Sequence, residues 1–249
     1  RLSPAVSLSW RPFSESTLRI RASYKDIFRV PTFTDLYYLR MGNTNLKPEE
    51  TSQYNVGVTW SSSCGDWLRH FSISADGYYN TVKDKIVALP TMYVWKMMNM
   101  GEVDIKGVDV NLSTQFRLPL RMSLLLASTY SFQYAVDVTD PEAKNYKDQI
   151  PYTPRHSGTV SVTLENPWVN VSYILTAVGD RYALPQNIDR NRIDSYIEQS
   201  ISINRDFRFR YFGLRLQGEL LNLANVNYDV IQYYPMPGRS WRLSICLSY

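Results

Sequence analysis

Apolar and polar residues alternate one by one along this chain, and the alternation runs to its last letters. In "SWRLSICLSY", Trp241, Leu243, Ile245, Leu247 and Tyr249 fall on one flank, and Arg242, Ser244, Cys246 and Ser248 on the other. A period of two belongs to a β-strand with one oily and one wet side. "PAVSLSW", "LRIRASY", "YNVGVTW", "FSISADGYY", "VDVNLS", "MSLLLASTYSFQY", "GTVSVTL", "VNVSYIL", "IEQSISIN" and "LRLQGELL" repeat the device. With the final strand this makes eleven segments, and no convincing stretch has the 3.6-residue period of a helix. The chain is predicted to be all-β.

The connections alternate too. Short ones hold turn formers: "RPFSES", "SSSCGD", "FRLPLR", "ENPW" and "NRDF". Long ones are expected over 25–51, 89–103, 137–152, 180–195 and 224–239. An up-and-down sheet puts all short links at one end and all long links at the other, as in outer-membrane barrels with short periplasmic turns and longer outer loops. In hydrocarbon every backbone polar group needs a partner within the protein, so strands cross a membrane only as a closed barrel. A soluble β-sandwich also alternates, burying its apolar flank in a core, but it seldom needs five long loops at one end. The expectation is therefore a transmembrane antiparallel up-and-down β-barrel, with lipid on one flank and a wet or filled interior on the other.

Composition narrows the function. Nineteen tyrosines and an aromatic share of 14% suit a protein whose rings sit at membrane–water boundaries. The net charge of +4 is not gathered into a basic run, which argues against nucleic acid as a partner. Cys64 and Cys246 have no metal-ligand spacing, and the strand order separates them too widely for a disulfide. His156 and Ser157 are neighbours on a strand and point to opposite faces, so they form no catalytic relay. No enzymatic activity, cofactor or catalytic residue is expected. An outer-membrane barrel enzyme and a passive porin are the weaker alternatives.

Eleven strands are odd, whereas bacterial single-chain barrels have even numbers. The stretch "IFRVPTFTDLYYLRMGNTNLKPEETSQYNVGV" resembles a hallmark of TonB-dependent outer-membrane receptors, through Arg29, Pro31, Asp35, Leu36, Gly42, Asn43, Leu46, Pro48 and Glu49. "NMGEVDIKGVDVNLS" and "LNLANVNYDVIQYYPMPGRSWRLSICLSY" are similar to further strands of that family, in its cobalamin and siderophore branch. The resemblance implies a 22-stranded plugged barrel, of which residues 1–249 form the C-terminal part. The plug and the first barrel strands have no counterpart in this sequence. It also implies active uptake of a ferric siderophore or cobalamin, driven by the TonB complex acting on the plug. Lipid, the chain's own missing half and a surface lipoprotein are the further partners. Tyr249 resembles the family's terminal assembly signal.

Ligand contacts are expected from Tyr37, Tyr38 and Arg40 in the first long loop, Tyr93 and Trp95 in the second, and Tyr182, Tyr233 and Tyr234 in the later ones. Rings give broad contact at low entropic cost, and arginine attracts anions. The same rings would equally serve an aromatic girdle or loop packing. Met92, Met97, Met98 and Met100 could offer thioethers to a soft metal, or fill irregular apolar surface; no metal site is assigned. Haem ranks below the other cargoes, because the family's axial histidine is missing between Ile27 and Glu50 and only His70 and His156 occur. Arg19, Arg21, Asp76, Asp109, Arg215, Glu219 and Arg242 should face the interior, since charge on a lipid flank is costly.

Overall fold

The computed structural model describes residues 2–91 and 93–248. In chain order its strands are β1 (Ala5–Trp10), β2 (Arg19–Arg29), β3 (Glu49–Cys64), β4 (Leu68–Pro90), β5 (Trp95–Leu118), β6 (Met122–Asp137), β7 (His156–Glu165), β8 (Asn170–Val178), β9 (Arg181–Tyr182), β10 (Arg192–Ile193), β11 (Tyr196–Arg208), β12 (Gly213–Leu221), β13 (Asp229–Ile231), β14 (Tyr234–Pro235) and β15 (Ser240–Ser248). Eleven of them form one antiparallel sheet in the order β1-β2-β3-β4-β5-β6-β7-β8-β11-β12-β15, each strand beside its neighbour in sequence. β9 with β10 and β13 with β14 make two small ribbons within the loops. A five-residue helix, α1 (Phe33–Tyr37), interrupts the first loop; it is too short for a helical period to show in the sequence.

The register carries the sequence alternation across the sheet. Val6 lies opposite Tyr24, Tyr24 opposite Tyr54 and Tyr54 opposite Tyr79. At the far edge Leu216 lies opposite Ile245 and Leu220 opposite Trp241. The apolar flank is thus continuous, and among the described residues no core covers it. Val56 is 59% exposed and Ile245 64%. A soluble domain does not leave an apolar surface of this extent in water. Tyr24, Tyr54 and Tyr79 form a row of rings with centroids 5.0 and 6.4 Å apart. Nearer the short turns, Trp60 packs edge-on to Phe71 at 5.3 Å and Trp67 stacks on Phe116 at 5.7 Å. Six to eight residues separate the two aromatic rows along β3 and β4, roughly 20–27 Å of strand at about 3.3–3.4 Å per residue. That matches an apolar band about 25 Å tall between two girdles.

The other flank is polar and internally paired. Arg21 Nη2 meets Asp76 Oδ1 at 3.0 Å. Gly57 lies between them in the register, and a side chain there would collide with the Asp76 carboxylate. Arg215 grips Asp206 through two nitrogens at 2.6 and 3.0 Å, Arg242 pairs with Glu219, and Ser131 donates to Asp109 at 2.5 Å. Most of these charges are accessible to solvent, which screens their attraction, so their contribution to stability is small. Their weight is in placing the polar flank on one side only.

One expected loop is absent. β4 has 23 residues and β5 has 24, paired up to Pro90 opposite Trp95. The region expected as a loop over 89–103 is therefore mostly strand, with β4 running to Pro90 and β5 starting at Trp95. Alternation fails as a guide here because apolar residues stand side by side, in Ile86-Val87-Ala88-Leu89 and Met97-Met98. On the polar-flank side Val82, Val103, Ile105 and Ala135 form the molecule's buried apolar cluster with Met100 and with Ile150 from the third loop. Met97 and Met98 are adjacent on β5, and Met100 is buried in that cluster. Met92 lies outside the described residues. Cys246 is a free thiol.

The two flanks predict opposite responses to charge. Val56→Arg should cost about 2–4 kcal/mol of folding into lipid vesicles, read by heat-modifiable gel migration of the full receptor. Asn55→Arg, one residue away on the polar flank, should fold almost as the parent does. Equal loss in both variants would contradict the assignment of flanks.

Candidate functional site: an aromatic vestibule above the sheet

The first loop folds around the arginine at the end of β2. Arg29 pairs in register with Glu49 at the start of β3. Its guanidinium reaches Asp35 Oδ2 at 3.1 Å and Glu49 Oε2 at 3.5 Å. Glu49 in turn accepts from the Ile86 backbone N–H at 3.1 Å. Thr32, after Pro31, caps α1: its hydroxyl accepts from Asp35 N at 3.2 Å, while Asp35 Oδ2 accepts from Thr32 N at 2.9 Å. This reciprocal capping box satisfies two amides a short helix would otherwise leave free. Gly42 sits against the backbone of Leu36 and Tyr37, where any side chain would collide. Asn43 donates to Met97 O at 3.1 Å, and the Lys47 amide donates to Asn99 Oδ1 at 2.8 Å. Leu46 is buried. The motif residues are thus the fasteners that hold the first loop against the β4–β5 hairpin.

Beyond the fastened loop, three other segments meet. The β4–β5 turn, the segment around Tyr152 and the β13–β14 ribbon border an open cavity of about 750 Å³ lined by Tyr93, Trp95, Tyr152, Ile231, Tyr233 and Tyr234. A second cavity, of about 540 Å³, shares Trp95, Tyr152 and Ile231 with it and continues to Arg181 and Tyr196. Both are within the size range of small-molecule sites. Tyr152 and Tyr233 hold left-handed backbone conformations, with φ of 57° and 67°. Bulky residues adopt that region at an energetic cost, and such strain gathers at functional sites. Burial pushes the Tyr152 hydroxyl above its ordinary pKa, partly offset by the Gln232 backbone N–H and by Arg181. Tyr228 is likewise raised by burial and by Glu198, and its ring stacks on Tyr196 at 4.1 Å.

Of the residues singled out in the sequence, Tyr93, Trp95, Tyr233 and Tyr234 come together in this vestibule. Trp95 does so from a strand, not from a loop. Tyr37, Tyr38 and Arg40 line neither cavity: Tyr37 packs on Phe33 at 4.9 Å, and Arg40 is a left-handed residue just after α1. Tyr182 belongs to the β9–β10 ribbon and accepts the Tyr152 amide at 2.7 Å through its carbonyl. His156 hydrogen-bonds the Tyr130 hydroxyl at 2.8 Å and packs on Phe132; these rings are on the apolar flank, away from both cavities. Tyr249 lies outside the described residues. Sequence reasoning missed Tyr152 and Arg181. The signals for them were faint: prolines at 151 and 154 fix the backbone around Tyr152, and "GDRY" puts an arginine where β8 ends.

The loop fastening has a definite pH signature. Burial alone would raise the Asp35 carboxyl, but the Thr32 amide and hydroxyl and the Arg29 guanidinium together hold it below the ordinary range. A lowered carboxylate stabilises the fold above its unfolded value, and that contribution fades as pH falls through the lowered folded value. Protection of residues 30–48 from proteolysis should therefore be flat from pH 7 to 5, and weaken only below about pH 4. Asp35→Asn should expose the loop already at pH 7, and an unchanged digest would contradict the fastening.

Comparison with known proteins fits this geometry. A family model described as TonB dependent receptor-like, beta-barrel, matches residues 1–223. The vitamin B12 transporter BtuB of Photobacterium profundum is 27% identical over 236 residues, covering 91% of this chain and 34% of that protein. BtuB of Vibrio vulnificus is 24% identical over 86% of this chain and 32% of that protein. The chain thus spans about a third of the length of these relatives. Among solved structures, the ferric citrate transporter FecA in its unliganded form superposes with a TM-score of 0.73 at 12% identity, over 98% of this chain and 38% of FecA. The copper transporter OprC gives 0.72 at 16% identity, over 99% of this chain and 39% of OprC. These likenesses establish a shared fold. The chain belongs to the TonB-dependent receptor-like β-barrel family, a family of transporters and receptors rather than enzymes.

Proposed function

We propose that this chain is part of the wall and outer vestibule of an outer-membrane receptor that takes up a scarce ligand, a ferric siderophore or cobalamin, with energy from the TonB system. Three lines support the reading: the family, the relatives that transport vitamin B12, and a fold shared with receptors for iron chelates. The sheet's two edge strands, β1 and β15, run in the same direction, because an odd number of antiparallel strands separates start from finish. They cannot pair with each other in an antiparallel barrel. An odd number of further strands closes the barrel, and a plug inside it presents the segment on which TonB pulls. The polar flank, with Arg21–Asp76, Asp206–Arg215 and Glu219–Arg242, faces that plug.

The observation that carries the proposal is the convergence of Tyr93, Trp95, Tyr152, Tyr233 and Tyr234 on one cavity at the loop end of the sheet. Rings at the mouth of a barrel give a rigid apolar surface that captures a large ligand at low entropic cost. Capture there, with the membrane-spanning wall unchanged, separates binding from transport.

Trp95→Ala combined with Tyr233→Ala should weaken ligand binding about thirty-fold to several-hundred-fold, from the loss of two ring contacts of about 1–2 kcal/mol each. The barrel should still fold. Binding and uptake of labelled cobalamin and of ferric siderophores by cells making the full receptor would check this. Tyr37→Ala and Tyr38→Ala, outside the cavity, should leave both unchanged. Uptake of none of these cargoes by the parent receptor would overturn the proposal.

A further inference from the structure

Arg181 is only 3% exposed, yet among the described residues no carboxylate stands within ion-pair distance of it. The nearby acids are engaged elsewhere. Asp180 holds Arg192 at 2.9 Å, the Asp229 carboxylate accepts the Tyr233 amide, and Glu198 accepts from Ser200 and Asn222. Arg181 Nη2 donates to the carbonyls of Asp229 and Val230, and the guanidinium lies over the Tyr196 ring, 5.5 Å from its centroid. Nη1 is buried and has no hydrogen-bond partner. A buried cation is ordinarily matched by an anion, because low-dielectric surroundings make an uncompensated charge expensive.

The cavity that Arg181 lines has the complementary property. Its walls are the apolar faces of Val87, Trp95, Ile150, Val230 and Ile231, and its charged residues are Arg181 and Lys85, both cations. No acidic side chain lines it. Tyr152 lines the same cavity, its hydroxyl near enough to Arg181 to feel the guanidinium's charge. A planar, singly charged carboxylate suits a planar guanidinium and an adjacent hydroxyl.

We infer that this inner cavity binds a carboxylate carried on an apolar ring body, with Arg181 and Tyr152 holding the carboxylate and Trp95 and Ile231 the rings. The inference rests on the vestibule's being a ligand site and names the chemistry that its Arg181-lined part selects. It also gives Arg181 a second role. By holding the carbonyls of Asp229 and Val230, the guanidinium ties the last loop to the end of β8, so the bound anion would lie beside that tie.

Calorimetric titration of the full receptor in detergent with 2-naphthoate and with uncharged 2-naphthamide tests this. The parent should bind the carboxylate at least about ten-fold tighter than the amide, as one charge-assisted contact allows. Arg181→Met, which keeps the side chain's length and apolar stem, should erase that preference and leave amide binding in place. Val230→Trp, which fills the cavity and spares the guanidinium, should abolish both ligands, with heat-modifiable migration confirming that each variant folds. Equal affinity for the two compounds in the parent, a preference that survives Arg181→Met, or naphthoate binding that survives Val230→Trp would each overturn the inference. Cobalamin and siderophore uptake is scored separately: uptake without a carboxylate preference removes this inference alone, and a preference without uptake removes only the transport reading.

Discussion

The unbroken antiparallel ladder from β1 to β15 is the constraint on which the rest of the structure depends. A segment in hydrocarbon has no water to satisfy its amides and carbonyls, so each strand must be paired along both sides before its apolar flank can face lipid. Once that ladder forms with strictly sequential neighbours, the side-chain period of two sorts every residue without further instruction. Val56, Val110 and Ile245 go to one flank, and Arg21, Asp109 and Arg242 to the other. A slip of one residue in any pair would bring charges to the apolar side. The register is therefore protected by the same cost that keeps the protein in its membrane.

That ladder also makes the loops an organised surface. Sequential pairing returns every second connection to the same end, and there the sheet does not stop at one level. The β4–β5 hairpin rises past the row of Tyr24, Tyr54 and Tyr79 and stands as a post. The first loop is fastened to it through Asn43, Lys47 and Glu49, and the third loop through Ile150. The buried apolar cluster belongs to this raised part, not to the membrane-spanning sheet. An outer vestibule thus has a rigid element to lean on, which loops joined only at their ends would lack.

Much of this was legible beforehand because membrane strands obey one rule over their whole length. The eleven segments, the short turns and the charged flank with Arg215 and Glu219 follow from alternation and from the cost of misplaced charge. Reading stopped where that rule ends. Residues 89–103 read as a loop because consecutive apolar residues, as in Met97-Met98, break the clean alternation there. The motif from Arg29 to Glu49 stood out by resemblance, but its work as a set of loop fasteners depended on Asn99 and Ile86, more than thirty residues away.

By itself the sequence determined the architecture: strand count, order, flanks and the end at which the long connections emerge, since each depends on local period and on the solvent each flank meets. Only the tertiary structure decided which aromatic residues share a cavity. Tyr93, Trp95, Tyr152 and Tyr233 come from three separate segments, and their meeting is set by how far one hairpin rises and how the loops pack on it. The same is true of Arg181, whose unmatched charge is invisible until its neighbours are known. Burial and pairing are properties of contacts between distant segments, and no local pattern records them.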